Sequence, residues 1–206
     1  MDDLTAALGP AQPGGRAVIL IGGADLTEDR RTVELRRFFR TLASYCQRTA
    51  TTVTDGGTNS GVMRLIADAR SKVRGSFGLI GVAPGGAFER PTRTGASIEL
   101  APDHDVVLLV PGRHFGEETP WLFAAADHLA TGSATTIVVN GGQLTFEEAN
   151  LRLAAGHRVI AVQGSGRAAD ELAADPGLRA SGKLRVIPLA VDAASLATAI
   201  ESEAER

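Results

Sequence analysis

Two adjacent glutamates, Glu147 and Glu148, have the residue type and position expected of a catalytic acid or base. They stand in the segment NGGQLTFEE, residues 140–148, where an apolar β-branched run ends in two glycines and a helix-like segment follows. A carboxylate there is suited to binding a ribose hydroxyl or to acting as a catalytic acid or base. The alternative is a capping box, because Thr145 and Glu148 stand three residues apart at a helix start. Both interpretations of Glu148 stay open on the sequence.

The sequence of a second segment, GSGRAAD at residues 164–170, indicates a site that binds an anion. The first turn of a helix leaves backbone N–H groups unpaired at the positive end of the helix dipole. Arg167 in such a turn is opposed by the dipole, at a cost of about 0.3–1 kcal/mol, whereas a charge-assisted contact to phosphate contributes roughly 1.5–3 kcal/mol. The alternative is an ion pair with Asp170 or Glu171. We favour the anion, with the ligand-binding residues Gly164, Ser165, Gly166 and Arg167.

A third segment, DGGTNSGVM at residues 55–63, also joins a β-branched run to a helix-like segment. Glycines permit positive φ and close approach of a ligand, and hydroxyl and amide side chains supply hydrogen-bond partners. The alternative is an ordinary capped turn, which rarely needs so many glycines. The ligand-binding residues predicted in this loop are Gly56, Gly57, Thr58, Asn59, Ser60 and Gly61. Five further ligand-binding residues are predicted at or just after the ends of other strands, namely Gly22, Gly23, Gly141, Gly142 and Thr145.

An aromatic residue in a later loop is a candidate for stacking on a base. Phe115 lies between His114 and Gly116, after the fourth predicted strand. The acidic pair that follows, Glu117 and Glu118, is typical of a solvated helix start.

The composition argues against several classes of function. The net charge is −3 and no basic block occurs, so binding of nucleic acid through its phosphates is not expected. No stretch is long and apolar enough to span a membrane. A single cysteine, Cys46, excludes an internal disulfide and suits the cytoplasm. The four histidines lack metal-ligand spacing, so neither a metal nor another cofactor is predicted.

Seven apolar runs alternate with helix-like segments and predict the elements that position these residues. The pattern favours an α/β fold with one doubly wound, mostly parallel sheet of about seven strands and helices on both faces. Ligands bind such folds at the carboxyl ends of the strands, where the strand order reverses. Pro188 places the last strand near an edge.

We predict a flexible tail over residues 1–15 and a single domain over 16–206. The predicted strands span residues 16–22, 51–55, 77–83, 105–110, 134–139, 159–163 and 184–189.

The segments TDGGTNSGVMRLIADA, VVNGGQLTFEEA and IAVQGSGRAADELA together resemble the SLOG superfamily, most closely its LSDAT branch. The same domain occurs at the cytosolic N-terminus of TRPM (melastatin-type) ion channels, and this chain resembles a stand-alone prokaryotic form. The resemblance implies a Rossmann-like fold that binds or senses a nucleotide-derived ligand, such as ADP-ribose, through the glycine loops. It also implies a homodimer or a higher homo-oligomer.

The same superfamily contains the LOG cytokinin-activating enzymes, whose motif PGGxGTxxE resembles GGQLTFEE here. That likeness implies an alternative function, a nucleoside-5′-monophosphate phosphoribohydrolase (an N-glycosidase) with Glu148 as the catalytic residue. Asn140 stands in place of the leading proline of that motif, and Leu144 in place of its inner glycine. These departures favour binding over turnover.

Overall fold

The computed structural model describes residues 15–23, 30–89 and 98–201. The predicted tail, apart from Gly15, lies outside these ranges. The strands are β1 Arg16–Gly23, β2 Thr51–Asp55, β3 Leu79–Pro84, β4 Val106–Val110, β5 Thr135–Asn140, β6 Val159–Gln163 and β7 Leu184–Pro188. The α-helices of the described residues are α1 Arg30–Thr49, α2 Gly61–Lys72, α3 Thr119–Leu129, α4 Gln143–Ala154, α5 Arg167–Ala174, α6 Pro176–Ala180 and α7 Ala193–Glu201. A 3-10 helix, Gly85–Glu89, follows β3.

The strands form one sheet in the order β4-β3-β2-β1-β5-β6-β7, and every pair of neighbouring strands is parallel. The inner strands are continuous runs of buried residues, as expected when helices cover both faces of a sheet. β7, which carries Pro188, lies at an edge. The predicted doubly wound fold is therefore confirmed, with a sheet that is wholly parallel.

Two hydrophobic cores cover the two faces of the sheet. One joins the strands to α1, α2 and α7 through side chains such as Phe38, Leu65 and Leu196. The other joins them to α3, α4 and α5 through side chains such as Leu122 and Leu172. None of the described helices has the length and apolar character needed to span a bilayer.

The strand order reverses beside β1. The chain builds outward from β1 through β2 and β3 to β4, and then returns to place β5 on the other side of β1. In open parallel sheets the crevice at such a reversal is the usual ligand site. Close approach of the two strands requires a glycine, because a β-carbon on Gly22 would lie 1.9 Å from the carbonyl oxygen of Val139.

An ion pair between buried Arg152 and partly exposed Asp127 ties α3 to α4. The guanidinium of Arg152 donates two hydrogen bonds to Asp127, at 2.6 and 2.9 Å, and a third to the carbonyl oxygen of Ala134, at 2.8 Å. It also lies 5.0 Å from the ring centroid of Phe123. Burial alone would raise the pKa of Asp127, but the hydrogen bonds from Arg152 and from the backbone N–H of Ala134, together with the positive charge of Arg152, outweigh it and lower that pKa. The pair fixes the relative position of two helices that contribute carboxylates to the site.

Candidate ligand-binding site

A cavity of about 290 Å³ lies where the strand order reverses. It is bounded by the carboxyl end of β1, the loop after β2 and the N-terminal turns of α2, α3 and α4. The described lining includes seven of the residues predicted from the sequence, namely Gly22, Gly56, Thr58, Ser60, Phe115, Thr145 and Glu148. The sheet topology thus brings together residues from three separate glycine loops.

Glu148 faces this cavity, and the predicted capping box is wrong. The helix begins at Gln143, three residues earlier than the box requires, with Gly142 as its extended N-cap and no side-chain cap. The carboxylate of Glu148 instead accepts a hydrogen bond from the hydroxyl of Thr119, at 2.7 Å. Burial raises the pKa of Glu148 to about 7; the bond from Thr119 opposes this rise, and the charge of nearby Glu118 adds to it.

A second carboxylate, Glu118, lines the same cavity and was missed by the sequence analysis. The prediction of a solvated helix start holds for Glu117, which is exposed, and is wrong for Glu118, which is 5% exposed. One carboxylate oxygen of Glu118 accepts the backbone N–H of Gly116 at 2.7 Å. Burial raises the pKa of Glu118, and the charge of Glu117 adds to the rise. Local sequence carries no signal for this burial, which depends on the packing of α3 beside α4.

The glycine loop after β2 is held by the segment that precedes β4. The N–H of Asn59 donates to the carbonyl oxygen of Glu99 at 2.8 Å, and the N–H of Ala101 donates to that of Gly57 at 3.0 Å. Gly57 packs against Gly81 of β3, where a β-carbon on either glycine would clash. Gly57 and Asn59 therefore shape the loop, while Thr58 and Ser60 face the cavity, with 3.0 Å between their hydroxyl oxygens.

Two arginines lie over the glycine starts of α4 and α5, outside the lining of the cavity. A β-carbon on Gly142 would lie 3.3 Å from Nη2 of Arg167, and one on Gly166 would lie 3.3 Å from Nη1 of Arg31. Neither helix has a side-chain cap. Arg31, which α1 contributes from the other end of the chain, was missed by the sequence analysis. Sequence gives no signal for it, since only the fold brings α1 to the carboxyl end of β6.

The predicted alternative for Arg167, an ion pair on its own helix, is not formed within the described residues. Asp170 instead accepts the backbone N–H of Gly164 at 2.6 Å. Ser165 is fully buried: its hydroxyl accepts the N–H of Asn140 at 2.8 Å and donates to the carbonyl oxygen of Val162 at 2.6 Å. Ser165 thus ties the end of β5 to the end of β6 and does not face the cavity.

Glu147, the other candidate acid, lies on the exposed side of α4, where its carboxylate accepts a hydrogen bond from the side chain of Gln143 at 2.9 Å. Ten of the predicted ligand-binding residues do not belong to the described lining of the cavity. These are Gly23, Gly57, Asn59, Gly61, Gly141, Gly142, Gly164, Ser165, Gly166 and Arg167. Across the described ranges, no three His, Cys, Asp or Glu side chains are grouped so that they could hold a metal ion.

The family model described as "SLOG in TRPM, prokaryote", the prokaryotic LSDAT family, matches residues 16–203. The chain belongs to this family. The match spans every described strand and helix, including all three glycine loops and both buried glutamates. The family and the fold support a ligand-binding Rossmann-like domain. A search of curated proteins gives no match.

Solved structures similar to this LSDAT-family chain have the same fold. One is the structural-genomics target TM1055, with 20% identity, a TM-score of 0.59, and coverage of 84% of this chain and 91% of that one. Another is the molybdenum cofactor binding protein of the phototrophic bacterium Rippkaea orientalis, with 16% identity, a TM-score of 0.56 and coverage of 84% and 88%. A third is the molybdenum cofactor carrier protein of Chlamydomonas reinhardtii, with 19% identity, a TM-score of 0.59 and coverage of 91% and 96%.

Proposed function

We propose that the protein binds a nucleotide derivative that carries ribose and phosphate, of the ADP-ribose type, as a binding or sensing domain. The observation that carries this proposal is the position of the cavity. It lies at the strand reversal, beside two glycine-started helices that each have an arginine over their first turn. That arrangement combines a half-open cavity for a base and sugar with a separate, positively charged rim.

The rim supplies what a phosphate needs. The starts of α4 and α5 lack side-chain caps and lie at the positive ends of two helix dipoles. In α5 the N–H of Ala168 donates to the carbonyl oxygen of Gly141, and the other first-turn N–H groups remain for an anion. The exposed guanidinium groups of Arg31 and Arg167 add charge-assisted donors over the same glycines. The positive charges of the two arginines lie close to the positive ends of two helix dipoles, which is unfavourable. An anion bound between the arginines would offset this repulsion.

The interior supplies what a base and a sugar need. Its walls combine apolar side chains with the hydroxyls of Thr58, Ser60 and Thr145. Phe115 is 40% exposed and meets Phe88 edge to face, with 6.3 Å between ring centroids. A cavity of about 290 Å³ is near the lower end of the range for small-molecule pockets. The size therefore suits a nucleoside whose phosphates remain outside, at the rim.

Calorimetric titration with ADP-ribose, AMP and NAD tests the proposal. We expect Arg167→Ala and Arg31→Ala each to weaken binding by about 2 kcal/mol, because each removes a charged hydrogen-bond donor to phosphate. Arg40→Ala is the matched control, since Arg40 lies on α1 like Arg31 but more than two turns further along the helix. Absence of heat with every ligand would refute the proposal. An unchanged affinity in either rim variant would remove that arginine from the site.

A second function, nucleotide N-glycosidase activity, is favoured by one observation. Glu148 is a buried carboxyl group inside the cavity, and its pKa of about 7 leaves it partly protonated near neutral pH. Such a group could donate a proton to a leaving base and, once ionised, stabilise a positively charged sugar. Release of free adenine from AMP, lost in Glu148→Gln, would establish this activity. Binding of AMP without release would favour the binding function.

The remaining proposals concern the partners of the protein. A net charge of −3 supports a small-molecule ligand over nucleic acid. We also propose that the protein forms a homodimer or a higher homo-oligomer in the cytoplasm, on family grounds. The mass measured by light scattering at several protein concentrations tests the oligomer, and a monomer at all of them would refute it.

A further inference from the structure

Two buried carboxylates face the cavity, and no described residue of its lining carries a positive charge. Glu118 is 5% exposed and Glu148 is 6% exposed, and both belong to the cavity lining. Their hydrogen-bond partners are neutral, namely the backbone N–H of Gly116 for Glu118 and the hydroxyl of Thr119 for Glu148. The described lining contains no lysine, arginine or histidine.

This arrangement is unusual, because buried carboxylates normally pair with a cation or give up their charge. A third polar group in the lining also lacks a partner. Thr145 is 6% exposed and lines the cavity, and its hydroxyl forms no hydrogen bond with another described residue. Three polar side chains, from Glu118 just before α3 and from Thr145 and Glu148 of α4, thus line one cavity, each with unused capacity to accept a hydrogen bond.

The rest of the lining is mainly apolar and includes an aromatic ring. Leu122, Leu144 and Phe115 line the cavity, and Phe88 supports Phe115 from the side. The negative face of an aromatic ring attracts a cation, most strongly where water is excluded. A flat ring that carries positive charge would therefore meet two carboxylates and an aromatic ring within the same cavity.

We propose that the cavity binds a planar, positively charged nitrogen heterocycle of the pyridinium type, carried on a sugar whose phosphate stays at the arginine rim. This inference rests on the proposed nucleotide-binding function and names the class of ring that enters the site. The carboxylates of Glu118 and Glu148 face the edge of the ring and attract its positive charge. A neutral ring would gain no such attraction.

Binding of the charged ring would also be coupled to the loss of a proton from Glu148. Glu148 has a pKa of about 7, so near pH 7 a substantial fraction of it carries a proton that a bound cation would expel. The charged groups facing Glu148 in the described lining are limited to Glu118, with exposed Glu117 beside it. Binding of a cationic ring should therefore release protons and strengthen as the pH rises through 7.

Nicotinamide mononucleotide and its reduced dihydro form provide a matched pair of probes, because they share sugar and phosphate and differ in the charge of the ring. We expect the oxidised form to bind roughly tenfold or more tightly than the reduced form at pH 8. Calorimetry in two buffers of different ionisation enthalpy should show proton release for the oxidised form near pH 7. Glu118→Gln and Glu148→Gln should each reduce the preference several-fold, whereas Glu147→Gln, on the exposed side of α4, should retain it.

Equal affinity for the two forms, or tighter binding of the reduced form, would overturn this inference while leaving the proposed function intact. Binding of ADP-ribose with no binding of either mononucleotide would also overturn it and still support the proposed function. A preference that survives in both glutamine variants would overturn the assignment to these carboxylates. Absence of binding by any nucleotide would refute both proposals.

Discussion

Replacing Glu148 by glutamine should stabilise the ligand-free protein at alkaline pH. Burial raises the pKa of Glu148 from 4.5 to about 7. Below about pH 4.5 the group is protonated in both states, and its contribution to stability is fully present. Between pH 4.5 and 7 the unfolded chain releases its proton first, so the free energy of unfolding falls as the pH rises. About 2.5 pH units at about 1.4 kcal/mol each correspond to a loss of about 3 kcal/mol.

Urea unfolding at a series of pH values from 4.5 to 8.5 measures this effect. Glutamine has nearly the same shape and can still accept the hydrogen bond from Thr119. We therefore expect Glu148→Gln to exceed the wild type by up to about 3 kcal/mol at pH 8 and to match it near pH 4.5. Glu147→Gln is the matched control, because it makes the same change one residue away on the exposed side of α4.

Two results would refute the reasoning. If wild type and Glu148→Gln lost stability in parallel as the pH rose, burial of Glu148 would not govern the pH dependence. If Glu147→Gln changed the pH dependence as much as Glu148→Gln, a general effect of net charge would explain the result.

Three further perturbations test other parts of the structure. Arg152→Leu should lower the free energy of unfolding by about 2–4 kcal/mol at pH 7 in urea titrations, because Asp127 loses its buried partner. Since Arg152 lowers the pKa of Asp127, that difference should be present above about pH 4 and shrink as the pH falls through the lowered pKa. Cys46, whose pKa burial raises to about 12, should not react with a disulfide reagent at pH 8 until urea unfolds the protein. Gly22→Ala should destabilise the fold and weaken nucleotide binding, since its β-carbon would clash with the carbonyl of Val139.

Each of these predictions has a contradicting outcome. A loss below about 1 kcal/mol in Arg152→Leu would show that the ion pair contributes no more than a surface pair. Rapid reaction of native Cys46 would show that α1 opens. Gly132→Ala is the control for Gly22→Ala, because Gly132 also has positive φ but has open space where the added β-carbon would lie. Equal losses in the two alanine variants would exclude the clash with Val139 as the cause.

The fold was predictable because its signals are local. Continuous β-branched runs mark strands that are covered on both faces, and glycines mark the points where the chain leaves the sheet. Pro188 correctly indicated an edge strand. The short helix Pro176–Ala180 was missed, because five residues are too few to show a helical period.

The site was only partly predictable, because its missing groups depend on contacts between distant segments. The sequence pointed to Thr58, Phe115 and Glu148, which stand in or beside glycine loops. It missed Glu118 and Arg31, since nothing near either residue in sequence distinguishes it from an exposed charge. The capping box at Thr145 failed for a related reason, because the helix begins where Gly142 allows it and not where the capping pattern suggests.

The central position of β1 has a consequence for how the site assembles. β1 pairs with β2 early in the chain, but it pairs with β5 across more than a hundred residues, as in the pair Val18 and Thr135. Contacts of such separation close large loops and are expected to form late in folding. The cavity is lined from both sides of this seam, so it exists only after the two halves of the sheet have joined. A ligand bound there would hold the halves together and slow their separation during unfolding.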